Sequence, residues 1–244
     1  MNITIACRFP PVNRTPEQVW EDLVALTARL AAAAPGFKDW WANPRAPKDA
    51  YVSLADRAAF VSRLREDDDK LEQEYPGLPA AGGSGAVLTN AGNDKDWKAR
   101  GGVALAYSPG IGSLRLDLNR IEKTYGRPEP LVWAQLAALT EDPRITFAQT
   151  EVQQLLDGEL LLYSADRAVF PHREFLGWMG YVDRPLTTDQ VPDAARLERH
   201  GEGTLVLATA LLDLGDRAAI KQANQVEMSL ADLGLLPVID PQLG

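Results

Sequence analysis

The chain has 244 residues, enough to bury a sizeable core, and its 45% apolar and 24% charged residues are typical of a globular protein. A formal net charge of −9 disfavours binding to nucleic acid, whose phosphates attract basic surfaces. The single cysteine, Cys7, excludes an internal disulfide and is typical of a reducing compartment.

No segment of the sequence predicts secretion or membrane insertion. Residues 1–11 lack the basic region and the apolar region that a signal peptide requires. The most apolar predicted helix, 23–34, is too short to span a bilayer and contains Arg29. We therefore expect a cytoplasmic protein of bacterial type that contacts neither membrane nor nucleic acid.

The N-terminal part predicts a strand followed by two helices. Residues 2–9 alternate loosely and end at two prolines, as an ordinary strand does. Thr15 can cap a helix, with Pro16 at its first position and Gln18 completing a capping box. A second amphipathic helix is predicted from Leu54 to about Tyr75, with Ala58, Val61, Leu64 and Leu71 facing inward.

The middle of the chain predicts a glycine-rich loop, a hairpin and a helix. The loop is Gly82–Gly85, and the hairpin joins residues 103–107 to 113–118, where leucines alternate with polar residues. Residues 131–140 have helical spacing, with Trp133 on the buried side.

The C-terminal part predicts three strands and a final helix. The strands lie at 159–163, 175–182 and 203–209, and the helix begins at Asp213 or Asp216 and ends near Gly234. The order of elements favours an α+β fold with antiparallel sheet and flanking amphipathic helices. We expect one domain over 1–244, with sub-lobes at about 1–140 and 141–244 as the alternative.

The stretch FLGWMGYVDRP, residues 175–185, places two glycines around Trp178. A phosphate-binding loop would need a helix after its glycines, whereas a strand end and a turn follow here. The glycines are therefore interpreted as packing residues, which leave room beside the indole or let a neighbouring backbone approach.

Acidic charge is unevenly distributed along the chain. Residues 1–140 hold 17 acidic and 17 basic side chains, whereas residues 141–244 hold 17 acidic and 8 basic ones. A local acidic run, 66–74, lies in the neutral part. Such surfaces attract basic proteins, although an acidic excess that only keeps the protein in solution is the default alternative.

The sequence contains no recognisable catalytic or metal-binding motif. His172 and His200 are the only histidines, and no metal-ligand spacing surrounds them. The aspartates at 67–69 lack the glycine and spacing of a calcium loop, and Ser84 is not in a nucleophile motif. We expect no cofactor, no metal and no enzymatic activity, and we expect Cys7 to be a buried thiol.

Two adjacent tryptophans are candidates for contact with a partner. Trp40 and Trp41 lie in a loop-like stretch, and tryptophan is favoured at interfaces because it presents a large apolar face with a polar tip. Packing on the protein's own core is the alternative for either one, and it is the favoured role of Trp133 and Trp178.

Several short segments of the C-terminal half resemble the immunity protein 52 family. They are Phe175–Tyr181, Pro192–Ala195, Gly203–Val206, Ala223–Met228 and Leu233–Pro237. The resemblance implies an inhibitor of a toxin from a bacterial polymorphic-toxin or type VI secretion system. Toxins associated with that family often carry a nuclease domain of restriction-endonuclease-like fold. The family motifs are mainly structural, so no functional residue is carried over.

The implied partner is therefore a cognate toxin, bound through the surface of this protein. The candidate partner-binding residues are Trp40, Trp41, Glu66, Asp67, Asp68, Asp69, Glu72 and Glu74, together with the acidic faces after residue 141. The alternative function is a small cytoplasmic enzyme or ligand-binding domain built from scattered residues such as His172, Glu174 and Asp183. The sequence leaves the oligomeric state open.

Overall fold

The computed structural model describes residues 1–76, 85–240 and 242. The predicted glycine-rich loop lies outside these residues except for Gly85. The described part of the chain has an α+β fold with one large antiparallel sheet, which confirms the predicted fold class.

The described residues form eleven strands and seven α-helices. The strands are β1 (Asn2–Arg8), β2 (Trp41–Ala42), β3 (Val52–Ser53), β4 (Ala86–Thr89), β5 (Ala104–Ser108), β6 (Ser113–Leu118), β7 (Phe147–Leu156), β8 (Glu159–Leu162), β9 (Met179–Val182), β10 (Arg196–His200) and β11 (Gly203–Leu207). The helices are α1 (Pro16–Ala33), α2 (Arg57–Glu74), α3 (Asp94–Ala99), α4 (Ile121–Tyr125), α5 (Pro128–Thr140), α6 (Tyr163–Asp166) and α7 (Arg217–Asp232).

The first strand of the chain lies in the middle of the sheet. The strand order is β10-β11-β9-β7-β1-β6-β5-β4-β2-β3, with β8 paired to the far end of β7. β1 pairs antiparallel with β6 on one side and with β7 on the other, so strands from both 1–140 and 141–244 belong to one sheet. Cys7 is 1% exposed on β1, and burial followed by the charge of Asp142 raises the pKa of its thiol to about 12. The prediction of a buried thiol is confirmed.

The first predicted helix forms as expected from its capping residues. The backbone N–H of Gln18 donates to the Thr15 hydroxyl, and the Gln18 side chain accepts from the Thr15 N–H. This capping box supplies two of the backbone partners that a helix end otherwise lacks. Val19, Leu23 and Leu30 are fully buried, so α1 packs its apolar stripe against the core.

The second helix starts three residues later than predicted. Asp56 is its N-cap, because the Asp56 carboxylate accepts a hydrogen bond from the N–H of Ala59. Ala58 is exposed and Leu71 is 43% exposed, so the prediction that they face inward is wrong. Phe60 takes the buried position instead, at 1% exposure.

The predicted strand at 175–182 is only half correct, since β9 begins at Met179. Gly177 has a φ of 74° and forms an isolated parallel bridge with Thr150 of β7. A Cβ at Gly177 would overlap the carbonyl oxygen of Thr150, and one at Gly180 would overlap that of Ala148. The close approach of β7 therefore requires both glycines, which confirms their interpretation as packing residues. Trp178 is fully buried beside them.

A buried carboxylate of α7 fixes the segment that precedes β9. Glu227 is 1% exposed and accepts hydrogen bonds from the N–H groups of Leu176 (2.9 Å), Gly177 (3.1 Å) and Val169 (3.3 Å). Burial raises the pKa of Glu227 above its ordinary value, although the three N–H donors act in the opposite direction. Burial, followed by the neighbouring charge of Glu227, also raises the pKa of the Tyr163 hydroxyl.

We expect Gly177→Ala to lower the free energy of unfolding by about 3 kcal/mol, because the new Cβ meets the Thr150 carbonyl and the left-handed backbone is strained. Gly158→Ala is the matched control. Gly158 has a φ of 87°, but nothing lies within 4 Å of a Cβ placed there. Its loss should be about 1 kcal/mol. Urea unfolding followed by circular dichroism measures both, and equal losses would contradict the close approach of the two segments.

We expect the stabilisation provided by Glu227 to weaken as pH rises. Its folded-state pKa lies above the ordinary value of 4.5, so the folded protein binds the proton more tightly than the unfolded chain does. The contribution is complete below that value and is lost as pH rises through the folded-state pKa. The free energy of unfolding of the wild type minus that of Glu227→Gln should therefore fall as pH rises from about 4.5 through the folded-state pKa. A difference that rises over this range would show that the N–H donors outweigh burial.

Candidate functional site

The two adjacent tryptophans have different surroundings. Trp40 is 3% exposed, its ring packs against Phe37, and its Nε1 donates to the Phe37 carbonyl oxygen at 2.8 Å. Trp41 is half-buried on β2 and packs against Gly92, where a Cβ would come within 3.1 Å of the indole Nε1. Trp40 therefore belongs to the core. Trp41 is the one that a partner can reach without unfolding this region.

A small recess with aromatic walls lies beside Trp41. Its volume is about 280 Å³, and Trp20 of α1 also lines it. Trp20 is held in place because its Nε1 donates to the Leu54 carbonyl oxygen at 2.9 Å and the Arg57 guanidinium lies 5.2 Å from its ring centroid. Two half-buried indoles in a fixed arrangement can receive one apolar side chain of a partner.

Much of the acidic run on α2 is paired with basic side chains. Arg45, which follows β2, contacts the carboxylates of Glu66 and Asp67 at 2.7 Å each. Lys70 lies 3.7 Å from Glu74, one helical turn away. The hydrogen bond from Arg45 also lowers the pKa of Glu66. These pairs reduce the negative field that the run can present to a partner.

The helix that carries the run offers a weaker acidic patch than the sequence predicts. Asp69 and Glu72 are exposed, and Asp68 is half-buried on the same helix. α2 as a whole carries six acidic and four basic side chains. Its surface is therefore only weakly acidic.

A more strongly acidic site lies in the C-terminal half. A cavity of about 370 Å³ is lined by three carboxylates, from Glu141, Asp183 and Glu202, together with Tyr181 and His200. Glu141 follows α5, Asp183 follows β9, and Glu202 lies in the turn between β10 and β11. Among the described residues that line this cavity there is neither lysine nor arginine.

The carboxylates of this cavity are only weakly compensated. Glu202 pairs with Arg199 at 3.5 Å, but its side chain is 98% exposed to solvent. Glu141 pairs with Arg29 at the longer distance of 3.9 Å. Burial, followed by the charge of Asp183, raises the pKa of Tyr181. A cationic side chain entering the cavity would gain two or three opposite charges at once.

The residues of the alternative, enzymatic hypothesis have separate surroundings. The Glu174 carboxylate forms an ion pair with Arg8, and the His172 carbonyl oxygen accepts from the N–H of Ile239 at 2.9 Å. Asp183 lines the acidic cavity, whose described lining contains neither His172 nor Glu174. Among the described residues, the acidic cavity therefore does not bring the three together.

The residues of the acidic cavity could not be predicted individually from the sequence. Glu141, Asp183 and Glu202 are far apart along the chain, and only the acidic excess of 141–244 pointed to this part of it. Among the residues that the structure describes, no group of histidine, cysteine or carboxylate side chains could hold a metal ion. The same residues include no helix with the length and apolarity needed to cross a bilayer.

Comparison with known proteins yields a structural likeness. No family model matches the chain, and no curated protein matches it in sequence. One matching solved structure is the Pseudomonas aeruginosa T6SS protein PA0821, with a TM-score of 0.43 and 12% sequence identity over 93% of this chain and 72% of that one. Likeness at this level does not establish a family, and membership of the immunity protein 52 family stays a prediction.

Proposed function

We propose that this protein is an immunity protein, which binds a cognate secreted bacterial toxin and neutralises it. The acidic cavity formed by Glu141, Asp183 and Glu202 is the observation that carries the proposal. A weakly compensated group of carboxylates around a recess suits a lysine or arginine side chain of a partner protein. This arrangement needs no catalytic group on the protein itself.

Three of the five segments that resemble the immunity protein 52 family are in direct contact with one another. Glu227, in Ala223–Met228, binds the backbone of Phe175–Tyr181. Gly180 pairs with Val206 of Gly203–Val206, and the N–H of Glu174 donates to the carbonyl oxygen of Pro237 at 2.8 Å. These three segments therefore lie in one part of the core.

A nuclease is the toxin that the charge of this surface suits best. A nuclease must attract phosphate and therefore presents basic side chains around its cleft. The acidic half of the protein would accelerate association with such a cleft. The recess lined by Trp20 and Trp41 would receive an apolar side chain. A stable complex should bury about 1,200–2,000 Å² in total.

The direct test is to identify candidate toxins among the genes adjacent to this one and to coexpress each of them with this protein. Cells producing the toxin alone should stop growing, and cells producing both proteins should grow and yield a complex that co-purifies. Equal killing with and without this protein, with no complex recovered, would refute the proposed function.

The acidic cavity and the α2 run can be separated by matched charge reversals. Asp183→Lys with Glu202→Lys should slow association with the toxin about tenfold at low salt and flatten its salt dependence. Asp69→Lys with Glu72→Lys changes the net charge equally and should leave association nearly unchanged. All four side chains are exposed, so both variants should fold.

Stopped-flow or biolayer measurements at two salt concentrations distinguish the outcomes. A loss confined to the α2 variant would move the interface to the acidic run. Unchanged association in both variants would exclude electrostatic steering by either surface.

A further inference from the structure

The acidic half of the protein contains a groove with basic walls. It has a volume of about 760 Å³ and runs along the exposed face of α7, next to α6. Arg167, which follows α6, and Arg217 and Lys221, from the first turns of α7, line it. These are three of the eight basic residues within 141–244. The groove is therefore positively charged although residues 141–244 as a whole carry a net negative charge.

The three cations of the groove lack carboxylate partners within the part of the chain that the structure describes. In that part, no carboxylate oxygen lies within 4 Å of a side-chain nitrogen of Arg167, Arg217 or Lys221. The nearby acids are bound to backbone instead, since Asp213 accepts from the N–H of Gly215 and Asp216 caps α7 through the N–H of Ala218. Clustered like charges repel one another, so an anionic ligand would relieve an unfavourable interaction as well as form new ones.

The groove wall is held by backbone contacts. Arg167 donates from Nε to the Leu214 carbonyl oxygen at 3.1 Å and from Nη1 to the Asp166 carbonyl oxygen at 2.9 Å. Asn224 accepts from the Tyr163 hydroxyl at 3.2 Å, which leaves its Nδ2 group as a donor. Because these contacts orient Arg167 and Asn224, a ligand would lose little free energy in ordering those two side chains.

The two ends of the groove differ in polarity. Ile220 and Met228 supply apolar surface, and Met228 is 51% exposed at the far end from Arg217. From Arg217 to Met228 the helix rises by about 16 Å, the length of roughly five extended residues. The occupant must therefore be anionic at one end and apolar at the other.

We propose that this groove binds an acidic peptide segment of a partner protein, with its carboxylates on Arg167, Arg217 and Lys221 and an apolar side chain on Met228. This site is separate from the acidic cavity and does not depend on the proposed toxin. The cations lie at one end of the groove and the apolar Met228 lies at the other. An extended peptide can contact both ends, whereas a compact phosphate can contact only the cations.

The test uses the full-length protein and a fluorescein-labelled pentapeptide of three glutamates followed by two leucines. Fluorescence anisotropy should show saturable binding that weakens with salt. Replacing the glutamates of the peptide by lysines should abolish binding. Replacing its leucines by serines should weaken binding about tenfold if the apolar end is engaged.

The matched variants separate the groove from general charge. Arg217→Glu with Lys221→Glu should weaken peptide binding about tenfold or more. Lys95→Glu with Lys123→Glu makes the same charge change at exposed positions outside the groove and should retain binding. Circular dichroism confirms that both variants are folded.

Three results would overturn the proposal. The first is an absence of saturable peptide binding, or equal binding by both variants. The second is groove-dependent binding of pyrophosphate without binding of the peptide, which would assign the groove to small phosphate anions. The third is groove-dependent self-association in sedimentation velocity, which would make a second copy of this chain the occupant.

Discussion

The arrangement of the acidic half depends on the carboxylate of Glu227. It connects α7 to the irregular segment before β9, because a single side chain accepts N–H groups from three residues of that segment. Within the described residues those N–H groups have no strand or helix partner of their own, and leaving them unpaired in the core would be unfavourable. The basic groove lies on α7 and the acidic cavity lies beside β9, so the Glu227 contact links the two regions that carry them.

Elements governed by neighbouring residues were predictable from the sequence. Thr15 and Gln18 define the start of α1, and the alternating leucines of β6 define a strand with one buried face. The turn Asp157-Gly158, with φ of 50° and 87°, also joins β7 to β8 by a two-residue hairpin. Only the second arm of this hairpin was predicted, although the Asp-Gly pair indicates both.

Features that depend on distant residues were not predictable in this way. The sequence shows an acidic run at 66–74, but the pairing of Glu66 and Asp67 with Arg45 arises from the fold. Trp40 and Trp41 are neighbours in sequence, yet the geometry of β2 buries one and leaves the other half-exposed. Composition indicated which half carries the negative charge, and only the fold shows where carboxylates and cations gather.

The central position of β1 has a consequence for synthesis on the ribosome. Ile3 pairs with Leu118 and with Val152, so the first strand emerges long before either neighbour exists. At about 5–20 residues per second, β7 follows roughly 7–30 s later. Until β6 emerges, β1 has two open edges, and one edge stays open until β7 follows. We therefore expect early docking of α1, or a chaperone, to keep this central strand from pairing with another chain.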